Sequence, residues 1–303
     1  MSKVSIIIPS RAEKAENLNR TINSIFQNAT GDFEIIIGFN GTPYTNVPDH
    51  PKIKFLFEKE NIGLKPMINK LARMATGEYI YKSDAHCAFG YGFDEILKAD
   101  MQDDWIVMPR FKIIKDDGSI QMRDGKEEFY DYFYLCCPFT DKRGLRFKAG
   151  GHWPERTKER LESHPVVDET PQIHGSGWFV KKDYYLNVLG GFPEIDPLGH
   201  AQEPIWLALK NWLIGGKVMV NKKTWYAHLH QDSSQRGYPE DKAHTEETYK
   251  LTADYWLKNE EPNLKHNFAW FVNEKFPNMP SWPPNWYILY SNYLHGIYPS
   301  IHN

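Results

Sequence analysis

"VSIIIPSRAEKAENLNRTINSIFQNA", residues 4–29, decides the fold. It opens on a continuous apolar run that Pro9 ends. A run without alternation reads as a strand buried on both faces, the habit of parallel sheets. After a short polar loop, Leu18, Ile22, Ile25 and Phe26 recur at helical spacing. A buried strand followed by an amphipathic helix begins a βαβ unit.

The following segments repeat that theme. "FEIIIGF" (33–39) is a second buried strand, and Asn40-Gly41 after it signals a turn. "KIKFLFE" (52–58) alternates like a third. "LKPMINKLARMATG" (64–77) reads as a helix with Pro66 in its first turn and Gly77 as its stop. "EYIYKSD" (78–84) is a fourth strand, and "DWIVMPRFKII" (104–114) another. Residues 115–172 are charged and weakly periodic, and read as an irregular excursion. "GWFVKKDYYLNVLGGF" (177–192) predicts a strand and a short helix closed by Gly190-Gly191. "EPIWLALKNWLIGG" (203–216) predicts an amphipathic helix with a double-glycine stop. Residues 217–221 and 224–230 read as extended, and 241–258 as helix. Together these predict an α/β fold with a mostly parallel sheet. Residues 241–303 form a helical, aromatic-rich C-terminal extension.

Composition narrows the function. The chain has 303 residues and a hydrophobic content of 41%, enough for a full core. A net charge of −3 gives no broad drive toward nucleic acid. No segment approaches the roughly 18 apolar residues of a membrane helix, and "MSKVSIIIPSR" is a poor signal peptide. The cysteines, Cys87, Cys136 and Cys137, are odd in number and unpatterned. They read as reduced thiols in a cytoplasmic protein.

In open α/β sheets, ligands collect beyond the carboxyl ends of the strands. Pro9, Asn40 and Asp84 fall at such ends. On a strand, residues two apart face one side, so Asp84 and His86 are expected to converge. A carboxylate and an imidazole suit a divalent ion such as Mn²⁺. The motif alone is weak, because this composition supplies roughly 0.7 chance Asp-x-His matches. Its position carries the weight.

The stretch 4–86 resembles the nucleotide-sugar half of GT-A glycosyltransferases, in particular the large family-2 group. Asn61, Gly63 and Asn69 match its "N-x-G-x-x-x-x-x-N" segment. "ATGEYIYKSDAH" is similar to its "A-x-G-x-[YF]-[IL]-x-x-x-D-x-D" signature, with His86 in the last place. Asp-x-His at that place also occurs in the polypeptide N-acetylgalactosaminyltransferases. "GSGWFVKKDYYLNVLGGFPE" and "QEPIWLALKNWLIGGKV" resemble later stretches of the same proteins. The resemblance covers about residues 3–230. Each motif is weak alone, but several in one order are strong.

The resemblance implies an α/β GT-A domain over 1–240, a Rossmann-like mixed sheet flanked by helices, with 1–114 as nucleotide-sugar half and 115–240 as acceptor half. It implies a metal-dependent hexosyl- or pentosyltransferase that moves a sugar from a nucleotide-sugar, above all a UDP-sugar, to an acceptor hydroxyl and releases the nucleoside diphosphate. Asp84 and His86 would hold Mn²⁺ or Mg²⁺ against the diphosphate, with His228 or His230 as third ligand. Pro9, Arg11 and Glu13 would border the nucleoside. Asn40 stands where the family usually has an acidic, base-binding residue. Lys65 would reach a phosphate. Gly175, Gly177 and Trp178 would wall the donor sugar. Glu203 would be the general base in inverting members. In the retaining N-acetylgalactosaminyltransferases a Glu occupies this place without that role. Pro204 replaces the usual following Asp or Asn.

The sequence does not identify the acceptor: a saccharide or a lipid-linked acceptor fits the family, and the basic and aromatic run "RGLRFKAGGHWPERTKER" (143–160) would suit a hydroxymethylated DNA base. Its arginines and lysines are weighed against an ordinary solvated loop. One alternative is a sugar-nucleotide-binding module without catalysis. Another is a nucleotidyltransferase, which "IIIPSRAEKA" disfavours because it lacks glycine.

Overall fold

The computed structural model describes residues 2–41, 43–147, 151–164, 166–193, 202–231, 234–239 and 241–297. β1 (Val4–Ser10), β2 (Phe33–Asn40), β3 (Ile53–Glu58) and β4 (Tyr79–Ser83) form a parallel block in the order β3-β2-β1-β4. Every residue of β2 and β4 is buried, as a two-sided sheet demands. α1 (Ala15–Asn28) and α2 (Leu64–Met74) cover the block with Leu18, Ile22, Ile25, Met67, Ile68 and Leu71. β5 (Cys87–Phe89), α3 (Phe93–Asp100) and β6 (Trp105–Ile114) follow.

The excursion begins with a small hairpin of β7 (Met122–Arg123) and β8 (Lys126–Glu127). It also holds α4 (Pro154–Ser163), absent from the sequence reading, and β9 (Val167–Glu169). α4 buries no residue, so it carries no apolar period to find. β10 (Gly177–Lys181) enters antiparallel between β4 and β6. A π-helical turn (Tyr184–Val188) ends at Gly190 and Gly191, both with φ +70°. α5 (Glu203–Leu213) leads to β11 (Lys217–Leu229), one strand bent by an irregularity between Asn221 and Trp225. β11 runs parallel to β6 and antiparallel to β5.

α6 (Lys242–Leu257), α7 (Phe268–Trp270) and α8 (Trp286–Leu294) complete the chain. Trp256 of α6 meets Trp206 of α5 edge-on at 5.1 Å, so the aromatic extension shares the main core. Among the described residues, no helix is long and apolar enough to cross a membrane. Cys87 and Cys137 are buried free thiols.

Two local expectations need correction. α2 ends at Met74, before Gly77. Gly77 serves packing instead: a Cβ there would lie 2.5 Å from the Lys3 carbonyl oxygen. Asp84, Ala85 and His86 do not continue β4. They form the turn between β4 and β5, and this turn brings Asp84 and His86 together.

Candidate metal and nucleotide site

The carboxyl ends of β1, β2 and β4 open on one cleft of about 210 Å³. Pro9, Arg11, Glu13, Asn40, Asp84 and His86 line it, and His228 and His230 close it from the end of β11. Asp84, His86 and His228 each aim a ligand atom inward, all within 4.8 Å of one another. The rings of His86 and His228 are 4.7 Å apart.

The surroundings fix each donor. Glu13 Oε2 lies 2.7 Å from His86 Nδ1. A carboxylate there accepts a hydrogen bond from Nδ1–H and leaves Nε2 with its lone pair. Glu13 Oε1 accepts from Asn17 Nδ2 at 2.9 Å and from Gln231 Nε2 at 3.2 Å, so it joins the loop after β1 to the loop after β11. Burial pushes the Glu13 carboxyl up, but the His86, Asn17 and Gln231 contacts outweigh it and bring it down to about 2. Burial likewise opposes ionisation of Asp84. The Lys82 charge and the neighbouring histidines prevail, holding it well below the usual carboxylate range. Burial lowers His228 to about 4, so the ring is neutral at neutral pH.

His228 Nε2 is 3.2 Å from Asp84 Oδ2, yet neither ring nitrogen has a hydrogen-bond partner among the described residues. A buried imidazole with unsatisfied nitrogens beside an ionised carboxylate fits a cation-binding role. The donor set of one carboxylate and two imidazoles suits a divalent first-row metal.

Residues 5–185 match the family described as "Glycosyl transferase family 2". The chain belongs to that family. Its class is therefore that of the glycosyltransferases. The putative polypeptide N-acetylgalactosaminyltransferase 13 of Drosophila melanogaster is 25% identical over 284 residues, covering 84% of this chain and 48% of that protein. Polypeptide N-acetylgalactosaminyltransferase 3 of Taeniopygia guttata is 22% identical over 337 residues, covering 97% of this chain and 53% of that one. The chain thus spans about half the length of these curated relatives. The crystal structure of GalNAc-T7 with UDP, GalNAc and Mn²⁺ superposes with a TM-score of 0.67 at 16% identity, over 90% of this chain and 57% of that one. This likeness shows the fold, a GT-A sheet.

The other residues singled out in the sequence lie as follows. Arg11 stacks on the Tyr238 ring at 4.1 Å at the cleft wall. The Asn40 side chain is engaged by the next turn, accepting from Ile62 N at 2.8 Å and donating to the Gly63 carbonyl at 3.0 Å. Asn69 bonds Tyr185 and both backbone groups of Phe192, tying α2 to the glycine turn. Lys65 is buried and does not line the cleft. His230 lines the cleft but stands outside the three-residue cluster.

Gly177, Trp178 and Glu203 lie behind the cleft. A Cβ on Gly177 would lie 2.8 Å from both the Tyr226 ring and the Tyr81 hydroxyl oxygen, so close packing requires glycine there. Trp178 is fully buried, and its Nε1 donates to Glu203 Oε1 at 2.7 Å. Burial raises the Glu203 carboxyl, with the Lys82 charge opposing.

Two participants were missed in the sequence. Lys82 joins Asp84 to Glu203, and its signal was a lysine inside an otherwise buried strand. His174 stacks on Phe111 at 4.3 Å, and its ring lies 5.6 Å from those of His228 and His230. Nothing in the local sequence of His174 marks it.

The basic run has a different character from the one expected. Arg160 grips buried Asp168 through Nε and Nη2, each at 2.8 Å. Arg146 pairs with Glu246 at 2.5 Å, and Arg143 with Asp141 at 3.0 Å. Phe147 and Trp153 are buried. Lys148 lies outside the described residues. Arg146, Arg156 and Arg160 and both rings are thus engaged by the fold, while Arg143 stays exposed and pairs with Asp141 at the surface.

Proposed function

We propose that this chain transfers a sugar from a UDP-sugar to an acceptor hydroxyl, with a divalent ion held by Asp84, His86 and His228. The convergence of those three residues at the carboxyl edge of the parallel block carries the proposal. The relatives' names and the UDP, GalNAc and Mn²⁺ in the GalNAc-T7 structure support it. A bound Mn²⁺ or Mg²⁺ supplies Lewis-acid stabilisation of the departing diphosphate. Glu13 holds the His86 proton on Nδ1. Arg11, braced on Tyr238, offers a guanidinium to the diphosphate. Asn40 shapes the nucleoside end by fixing the Ile62–Gly63 turn.

Glu203 has the alternatives of proton acceptor and buried support. A general base must reach the acceptor's proton. Glu203 instead faces Trp178 and Lys82, and its side chain is only 3% exposed. This favours support of the donor-sugar wall over proton transfer. The engaged arginines of 143–160 argue against a nucleic-acid acceptor and leave a saccharide or polypeptide hydroxyl.

The test is a donor screen. The purified chain with Mn²⁺ is incubated with UDP-, GDP- and CDP-sugars, and free nucleoside diphosphate is measured. Release from one UDP-sugar, abolished by EDTA, is expected. UDP binding without turnover under any acceptor condition would favour a binding module. Activity on a nucleoside triphosphate would favour a nucleotidyltransferase.

A further inference from the structure

β4 is a core strand, and Lys82 is its penultimate residue, with a side chain 1% exposed. An ammonium in such a place is costly unless protein groups replace its water. Lys82 Nζ donates to Asp84 Oδ1 at 2.7 Å and to the Gly175 carbonyl at 2.5 Å, and it faces Glu203 Oε2 at 3.4 Å. An ammonium has three protons, so this set completes its valence. Lys82 also lies directly opposite Trp178 in the β4–β10 register. Trp178 holds the other Glu203 oxygen. Two cross-strand neighbours thus fix one buried carboxylate.

Asp84 shows the consequence. With Oδ1 held by Lys82, Oδ2 is the oxygen turned toward His228. The carboxylate has one orientation, set from inside the sheet. The same Nζ holds the Gly175 carbonyl, just before β10, the strand that carries Gly177 and Trp178.

We propose that Lys82 is a positioning residue for sugar transfer, one buried ammonium that orients Asp84 toward the metal-binding histidines while anchoring Glu203 and the Gly175 carbonyl behind the donor sugar. The inference rests on the donor-site reading given above. It assigns Lys82 a role that a purely space-filling residue would not have. A methionine of similar volume would fill the space, free Asp84 to rotate and leave Glu203 without its cation.

The test uses the full chain, with calorimetry of UDP in saturating Mn²⁺ and a Mn²⁺ titration followed by electron paramagnetic resonance. Melting curves establish that each variant is folded. K82M is expected to melt lower than wild type and to bind UDP with Mn²⁺ more weakly by about tenfold or more. K82M/E203Q removes both buried charges at once and is expected to recover melting temperature while UDP binding stays weak. Folded K82M or K82M/E203Q that binds Mn²⁺ and UDP as tightly as wild type would overturn the inference. Should neither fold, K82R decides, because guanidinium keeps the charge and displaces the donors. Weakened affinity in folded K82R supports the inference, and unchanged affinity overturns it. Absence of Mn²⁺-dependent UDP binding in the wild-type chain would instead overturn the donor-site reading.

Discussion

The parallel block of β1 to β4 and the excursion from 115 to 172 are held together in different ways. In the block, apolar strands alternate with helices whose buried residues recur every three or four positions, and Leu18, Ile22 and Ile25 illustrate the pattern. Burial there follows from local sequence. In the excursion, buried charge does much of the positioning. Arg110 holds Asp131 through Nε and Nη2 at 2.8 and 2.9 Å, and Tyr132 donates to Asp168 at 2.8 Å while Arg160 grips the same carboxylate. Long-range ion pairs leave no period in the sequence. The cleft belongs to the first kind of structure at its floor, and its closing histidines come from β11.

The comparison is broken most severely at the cleft. Asp84→Ala should abolish Mn²⁺-dependent UDP binding and lower kcat/KM by about a hundredfold or more while the fold persists. Full turnover would remove Asp84 from the metal set. Next in size is Glu203→Gln. As buried support, Glu203 should tolerate the amide with a fall in kcat of about tenfold or less. A loss near a thousandfold with intact donor binding would return Glu203 to the role of general base.

The excursion gives the third effect. Arg160→Met leaves Asp168 buried with Arg156 4.0 Å away as its remaining arginine. A loss of about 3 kcal/mol in urea unfolding is expected, with KM for the donor unchanged. A changed KM with unchanged stability would tie this region to the donor site.

The smallest effect is acid sensitivity inside the block. Glu34 accepts from Ser5 Oγ, Thr76 N and Lys54 Nζ. Burial opposes its ionisation, yet these contacts bring it down to about 2. Folding therefore favours the ionised form. Its contribution is full above the ordinary carboxyl pKa and is lost as pH falls from about 4.5 toward 2. Melting temperature of Glu34→Gln should depend less on pH across that window than wild type. An identical pH profile would show that Glu34 is not the group responsible.

The sequence revealed the strands and helices up to β4, the later β6, β10, α5, β11 and α6, and the pair Asp84 and His86, but not β5 or α3 between β4 and β6. Those features rest on local pattern and on a motif at a strand end. It did not reveal the turn that unites the pair, since alternation along a strand predicts the same convergence. It did not reveal α4, whose exposed sides carry no apolar stripe. Lys82 was visible as a letter, but its meaning required β10 to bring Gly175 and Trp178 beside it. The role of Glu13 beside His86 likewise depends on residues 73 positions apart.

The central claim is that Asp84, His86 and His228 make a metal-dependent UDP site. Calorimetry of the wild-type chain with UDP, in Mn²⁺ and in EDTA, tests it most directly. The account predicts saturable UDP binding in Mn²⁺ and its loss in EDTA. Equal UDP binding in EDTA, or no binding of UDP with either Mn²⁺ or Mg²⁺, would contradict it.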